Sequence, residues 1–296
     1  MNNENMNEQT AAKVSLPGLP LVSIITVCLN SENHLEQTIL SVLNQTYGNI
    51  EYIIVDGGSI DKTPDIIKKY ESRIARWVSE PDKGICDAMN KGISFARGEW
   101  VGIINSDDWY VPDTVRWVVE AALQKPETGV IFGNLMQHKL EDGRVVRCPV
   151  KGRVEGDGLL LENPLPHPAC FVARNVYEQF RFNPAFKIAP DYDLMARLYA
   201  GGVKFGHIDR TLAHYRIGGT SAQAPYRLII EGYLIRSRYH RLKALRKWLY
   251  LTGIFPLVYL YLRLPWTVRK KYQVGKNKVR AIFPKIVGKF DTGLRP

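Results

Sequence analysis

The sequence predicts an α/β fold: a mostly parallel, Rossmann-like sheet with helices on both faces, followed by a basic, partly apolar helical extension. Three observations predict it. From Leu21 onward, short apolar runs alternate with stretches of helical spacing, the pattern of a parallel sheet crossed over by helices. The chain has 296 residues, 45% of them hydrophobic, enough to bury a substantial core and to exclude disorder or a collagen-like repeat for most of its length. The formal net charge of +11 is unevenly placed. Residues 1–225 carry 23 Lys and Arg against 27 Asp and Glu, a net of −4, whereas residues 226–296 carry 17 against 2, a net of +15.

The elements follow in order. Residues 1–20 are polar and Asn-rich, without a basic segment leading into an apolar one, and read as a flexible leader rather than a signal peptide. Val22–Cys28 is a buried strand, and Leu35, Ile39, Val42 and Leu43 recur at helical spacing. Glu51–Val55 is a second strand. Asp61-Lys62-Thr63-Pro64 opens a helix, with Asp61 placed to cap it and Pro64 in its first turn. Arg76–Ser79 is a short strand, Ile85–Ala96 a helix stopped by Gly98, Trp100–Ile104 a strand, Asp113–Leu123 a helix, and Val130–Phe132 a further strand.

In such sheets ligands bind beyond the carboxyl ends of the strands. Here these ends are Val27, Val55, Val78 and Ile104, and each is followed by a polar cluster. Neither Gly-x-x-x-x-Gly-Lys-Ser/Thr nor Gly-x-Gly-x-x-Gly occurs, which argues against a P-loop NTPase and a dinucleotide dehydrogenase. The four cysteines, Cys28, Cys86, Cys148 and Cys170, form no Cys-x-x-Cys pair and have no His at metal-ligand spacing. A reducing cytoplasm fits them better than a secreted setting.

After the fourth strand comes Asn105-Ser106-Asp107-Asp108-Trp109. Adjacent carboxylates repel unless a positive charge sits between them. A divalent Mg²⁺ or Mn²⁺ bridging to a diphosphate meets that need; the alternative is a helix cap, for which Asp113 competes. After the second strand, Asp56-Gly57-Gly58-Ser59 lets backbone approach a ligand, with Asp56 able to accept from a base or ribose. From these four residues alone, an ordinary glycine turn reads better. After the third, Asp87, Asn90 and Lys91 share one helix face, either toward a ligand or merely solvated.

In this order the segments resemble the family 2 glycosyltransferases, which have the A-type glycosyltransferase fold. The stretches are Val22–Val27 with Asn30; Ile54–Ser59 with Asp61; Asn90-Lys91-Gly92 with Ala96-Arg97-Gly98-Glu99; Asn105-Ser106-Asp107-Asp108; Asp191-Tyr192-Asp193-Leu194; and Tyr215-Arg216. The resemblance covers about residues 21–222. It implies a nucleotide-sugar donor, a divalent metal, and transfer with inversion at the anomeric carbon. It places Asp56 on the nucleoside, Asp107 on the metal and Asp191 as catalytic base. Thr26, Asn30, Gly58, Lys83, Asp87, Asn105 and Arg216 join Asp56 and Asp107 as donor contacts. Two positions depart from the family pattern. Asn105 stands where an Asp is frequent, and Pro190 precedes Asp191 where an acid is frequent.

Inverting transfer needs a stabilised diphosphate leaving group, a deprotonated acceptor hydroxyl and an in-line arrangement. Asp107 and Asp108, with His214 as third ligand, are the expected metal set. Asp191 is the expected base, with Asp193 the local alternative; two positions apart on a helix, they point about 200° from each other. Asp191 also suits the start of a helix, since Leu194, Met195, Leu198 and Tyr199 follow at helical spacing. His167, in the Pro-rich turn Pro164–Pro168, is placed to touch acceptor or donor phosphate, or is a satisfied loop histidine. Arg216 is placed to clamp diphosphate, or to form a surface ion pair.

A catalytic domain over 21–225 and a basic tail over 226–296 are therefore expected. In the tail, Trp248–Leu262 is a 15-residue, mainly apolar stretch with basic flanks on both sides, short of the about 20 residues a spanning helix needs. With Trp248, Tyr250, Tyr259, Tyr261 and Trp266 it reads as an in-plane or shallow membrane element on the inner, anionic face. The alternative is a helical subdomain packed on the body. A nucleic-acid tail explains the charge but not the Leu/Tyr stretch. The processive-synthase motif Gln-x-x-Arg-Trp is absent, which favours addition of a single sugar to a glycan or lipid-linked acceptor. The rivals are a sugar nucleotidyltransferase, whose triphosphate loop is missing at Thr26–Asn30, and a non-catalytic membrane scaffold that keeps the fold.

Overall fold

Strand β1 (Val22–Cys28) is buried at every position, and it sits at the centre of the parallel half of one sheet. The computed structural model describes residues 18–139, 145–148, 158–161, 165–217, 224–241 and 244. Within them the strands are β1, β2 (Ile50–Asp56), β3 (Arg76–Ser79), β4 (Trp100–Asn105), β5 (Trp109–Tyr110), β6 (Val130–Lys139), β7 (Val145–Cys148), β8 (Cys170–Ala173) and β9 (Phe205–Ile217). The helices are α1 (Leu35–Leu43), α2 (Thr63–Lys69), α3 (Ile85–Phe95), α4 (Thr114–Gln124), α5 (Gly158–Leu161), α6 (Arg174–Gln179), α7 (Pro190–Ala200) and α8 (Pro225–Tyr239).

The sheet order is β3-β2-β1-β4-β8-β6-β9-β5, with β7 beside β6. The four strands read as strand–helix alternation are mutually parallel. Beyond β4 the sheet is mixed: β8 runs antiparallel to β4 and β6, while β6 and β9 are parallel through a register shift at Gly133–Leu135. The parallel expectation thus describes the first half of the sheet, where each strand is followed by a crossover helix.

Neighbouring residues of one strand feed opposite faces. Ile24, Tyr52, Ile54 and Ile104 pack with α1, α2 and α4, whereas Ile25, Ile53, Val55 and Ile103 pack with α3, α6 and α7. Burial on both faces is why these strands read as continuous apolar runs. Helix α3 lies close on the sheet because Gly92 has no side chain; a Cβ there would stand 2.5 Å from Ile25 Cγ2. The turn into β4 is fixed by buried Glu51. It accepts from Ser23 Oγ at 2.6 Å, Arg97 Nε at 2.6 Å and the Arg97 amide at 2.8 Å, and Ser23 Oγ in turn accepts from Gly98 N at 2.8 Å.

The first compact unit extends to Ala244. Helix α8 belongs to the body, burying Glu231, Ile235 and Arg236. Ile235 packs in a cluster with Phe186, Ala189, Tyr192 and Ala196. Residues 245–296, including the apolar stretch at 248–262, lie outside the described residues, as does the leader up to residue 17. Among the described residues, no helix is long and apolar enough to cross a membrane.

Candidate functional site

The ends of β3, β2, β1 and β4 lie level at one edge of the sheet, since Asp56 pairs with both Cys28 and Ser79, and Val27 with Asn105. The chain leaves β1 toward β2 on one side and returns to β4 on the other. Such a reversal opens a crevice at the carboxyl ends. Ser31 Oγ and Ser106 Oγ meet across it at 2.7 Å. Thr38 of α1 donates to the carbonyls of Ser106 at 2.9 Å and Asp108 at 2.6 Å, fixing the loop after β4.

That loop carries the acid pair. Burial pushes the Asp107 carboxyl up, against the opposing pull of its own backbone amide and of the His34 and Arg216 charges. Asp108 is fully buried and pushed up further, first by burial and then by the negative charge of Asp107. The Arg216 amide, 3.1 Å from Asp108 Oδ1, opposes this together with the Asn105 amide and the Arg216 charge. Asp108 Oδ2 and Asn105 Oδ1 are buried without a hydrogen-bond partner among the described residues. Two acids penalised for ionising, beside orphaned oxygens, fit a hard divalent cation, which accepts one or two carboxylates and leaves the remaining positions to phosphate and water.

His214 does not join them. Its ring stacks on Trp109, centroids 5.0 Å apart and planes within 7°, and its Nδ1 shares a hydrogen bond with His138 Nε2 at 2.7 Å. Among the described residues no three His, Cys, Asp or Glu side chains converge as a metal site. The expected triplet of Asp107, Asp108 and His214 is therefore not assembled: strand pairing of Trp109 with His214 turns the imidazole into an aromatic cluster. Arg216, two residues on, does reach the acid loop. Its Nε donates to the Asp107 carbonyl at 3.3 Å, one terminal nitrogen donates to Gln37 Oε1 at 2.8 Å, and the guanidinium lies 5.1 Å from the Trp109 ring centre.

Several expected donor contacts hold the loops instead. Thr26 is fully buried inside the sheet, its hydroxyl 3.0 Å from Tyr52 OH, and does not line the edge. Asp56 is at the edge but fully enclosed, accepting from Ser59 N at 3.0 Å, Ser59 Oγ at 2.5 Å and Ser79 Oγ at 2.6 Å. Its oxygens organise the glycine turn. Gly58 adopts φ +83° with Pro81 N 3.1 Å from where a Cβ would stand, a backbone position that favours glycine. Asn30, at φ +50°, ties the loops after β1 and β2. Its amide donates to Ser59 Oγ at 2.7 Å and its Oδ1 accepts from Ile60 N at 3.0 Å.

The loop before α3 keeps Lys83 exposed, with its amide donating to Asp87 Oδ2 at 3.0 Å. On the same helix Asn90 is occupied by the backbone of Phe182, donating to its carbonyl at 2.9 Å and accepting from its amide at 3.0 Å. Lys91 pairs with Glu80 at 2.6 Å. Asp87, Asn90 and Lys91 thus have three separate tasks rather than one ligand face.

Asp191 sits half-buried in the first turn of α7. Asp193 is fully buried and paired with Arg197 Nε at 2.8 Å and an Arg238 terminal nitrogen at 2.6 Å, which removes it as an alternative base. His167 begins a 3₁₀ turn, edge-on to Phe182 with centroids 6.1 Å apart, and its Nε2 is buried with no hydrogen-bond partner among the described residues. Burial pushes its pKa down; the Asp191 charge opposes this, so the two groups sense each other.

Two groups of side chains at this edge go unannounced by the sequence motifs. Trp109, His138 and Gln37 surround Arg216, and only Trp109 adjoins a motif. Glu231 and Arg238 of α8 grip the approach to α7. The signal for Glu231 was its rarity, one of two acids among residues 226–296.

A family model described as "Glycosyl transferase family 2" matches residues 23–178, just over half of the chain. An uncharacterized glycosyltransferase of Mycobacterium tuberculosis is 34% identical over 181 residues, covering 60% of this chain and 68% of that protein. Chondroitin synthase of Pasteurella multocida is 29% identical over 198 residues, 65% of this chain but 20% of that protein. A PGL/p-HBAD biosynthesis glycosyltransferase of Mycobacterium bovis is 27% identical over 186 residues, 61% of this chain and 70% of that protein. Among solved structures, S. aureus TarS 1-349 in complex with UDP superposes with TM-score 0.61 at 17% identity, covering 85% of this chain and 78% of that one. Mannosyltransferase PcManGT from Pyrobaculum calidifontis, in complex with GDP-Man and Mn²⁺, gives TM-score 0.53 at 16% identity, with 90% and 88% covered.

Proposed function

Because the chain belongs to glycosyl transferase family 2, we propose that it moves a single sugar from a nucleotide-sugar donor to a glycan or lipid-linked glycan, with inversion, a divalent metal and Asp191 as general base. It is a glycosyltransferase. The observation that carries the finer reading is the acid loop at the β4 end, where Asp107 and Asp108 are held in a setting that disfavours their charge and beside orphaned oxygens. Neighbours whose structures hold UDP-GlcNAc, or GDP-Man with Mn²⁺, support a nucleotide sugar and a metal as partners. Relatives named for chondroitin synthesis and for PGL/p-HBAD biosynthesis support a glycan-building role.

In this reading Asp107 is the more accessible metal ligand, with Asp108 behind it. A bound Mn²⁺ or Mg²⁺ supplies Lewis-acid neutralisation of the leaving diphosphate. Arg216 adds a fixed guanidinium, braced by Trp109 and Gln37, at the same loop. Asp191 accepts the acceptor hydroxyl's proton as its oxygen bonds to the anomeric carbon and the carbon–oxygen bond to diphosphate breaks. His167, whose pKa burial pushes down while the Asp191 charge opposes it, is a candidate acceptor contact. Exposed Lys83 remains a candidate phosphate contact.

A thermal-shift panel of UDP-, GDP- and dTDP-sugars, with and without Mn²⁺, tests this. A donor that stabilises only with metal is expected; stabilisation independent of Mn²⁺ removes the metal. Asp191→Asn should abolish transfer, a loss of about 10²–10⁴-fold, while the donor shift survives. Turnover near the wild-type rate would reject Asp191 as base.

A further inference from the structure

We propose that Glu231 is a positioning residue for the transfer reaction: from α8 it fixes residues 187–189 and, through them, the first turn of α7 that carries Asp191. The inference rests on the reading of Asp191 as base, and both helices lie beyond residues 23–178 of the family match.

The geometry is specific. Glu231 is 4% exposed. It accepts from the amides of three consecutive residues: Lys187 at 3.0 and 3.1 Å to its two oxygens, Ile188 at 2.9 Å and Ala189 at 2.9 Å. Arg227 Nε donates to it at 2.9 Å. Successive N–H groups converging on one anion form a nest, and charge-assisted bonds of this kind are strong and directional. Burial pushes the Glu231 carboxyl up, but these donors bring it below the usual range, so it acts as the anion.

The link from nest to Asp191 is stiff. One residue separates Ala189 from Asp191, and it is Pro190, whose φ is fixed and which has no N–H. The opposite side of the segment is held by α3, where Cys86 Sγ donates to the carbonyls of Asn183 at 3.5 Å and Phe186 at 3.3 Å. Helix α8 adds a second clamp one residue pair further on, through Arg238 to Asp193 and over the Phe186 ring at 5.0 Å. Helix docking alone does not call for an acid here, since a well-packed apolar side chain generally serves a buried site at least as well as a charge. What an apolar residue cannot do is accept three amides and set where the chain enters α7. A base must stand within hydrogen-bond reach of the acceptor proton, and a displacement of about 1 Å costs about 10²-fold.

The test follows nucleoside-diphosphate release from the sugar donor that gives the largest thermal shift in the panel above, with hydrogen exchange of the peptide spanning 187–193 read in parallel. Glu231→Gln should lower kcat about 10- to 100-fold, leave the donor KM within about twofold, and speed amide exchange at 187–189. Ile235→Ala loosens the same helix without touching the carboxylate; matched in Tm loss, it should keep kcat within about threefold. In an Asp191→Asn background, Glu231→Gln should cost nothing further, because the two act as one unit. Wild-type kcat in Glu231→Gln, equal losses in the Ile235→Ala control, unchanged exchange at 187–189, or an equal further loss in the Asp191→Asn background each overturns the proposal. If Asp191→Asn itself turns over normally, the base reading fails first; if Asp191→Asn is dead while Glu231→Gln keeps the wild-type kcat, only the positioning role fails. Should the glutamine variant not fold, Glu231→Asp, which withdraws the same charge by one bond length, is judged by the same criteria.

Discussion

Asp108 shows what a single side chain at this edge is built for. Its folded pKa is raised by burial and by Asp107, so its protonated form is favoured in the fold. The stability it contributes is present below the unfolded value of about 3.9 and is lost as pH rises through the raised folded value. Metal-free Asp108→Asn should therefore be more stable than wild type at neutral pH, by an amount on the order of 1 kcal/mol, with the gap closing toward pH 4. Thermal melts of both proteins across pH 4–8 measure it; a gap that does not change with pH removes the buried-charge account. Added Mn²⁺ should stabilise wild type and not the variant. At this scale the sequence made legible that Asp107, Asn105 and Arg216 meet at one loop, because residue type and strand-end position together narrow where they lie. Thr26, Asp56 and His214 find partners within the protein, because polar groups at a strand end also satisfy one another, and no spacing rule says which oxygens Ser59 and Ser79 will occupy or which ring Trp109 will stack on.

Elements were legible where one periodicity dominated. Strands β1, β2 and β4 and helices α1, α3 and α4 lie within a residue or two of the expected ends, since continuous apolar runs and amphipathic spacing each allow one solution. Helix α3 offers the sharpest check on that packing. Gly92→Ala would drive a methyl into Ile25, and overpacking of a filled core costs about 1–3 kcal/mol. The melting temperature should fall by about 2–4 °C per kcal/mol, measured by calorimetry; an unchanged melt would mean that α3 does not press on β1. Helix α8 was not legible. Its basic residues and exposed Tyr226, Ile230 and Leu234 resemble the tail that follows, and its attachment depends on Glu231 meeting backbone amides that no side-chain pattern announces.

At the scale of the molecule, the residues up to Ala244 carry no net formal charge, and the whole excess of +11 falls in residues 245–296. The membrane attachment expected of the basic tail has a direct check. Deleting residues 248–296 should move the protein from a membrane pellet to the supernatant, scored by fractionation, with metal-dependent donor stabilisation retained; an unchanged pellet fraction refutes the attachment. The parallel half of the sheet was legible because alternation of strand and helix leaves few topologies. The mixed half was not, since β8, β6 and β9 pair across long separations that leave no local trace.

The amide nest around Glu231 also bears on biogenesis. A nascent chain completes α7 at Ala200 and the last strand of its sheet, β9, at Ile217, both before Glu231 is made. Until α8 emerges, the amides of Lys187, Ile188 and Ala189 have water in place of that carboxylate, and the turn bearing Asp191 lacks its outer support. On the proposed role of Glu231, competence for transfer is therefore acquired late in synthesis, and a chain interrupted between β9 and α8 is expected to bind donor before it can use it.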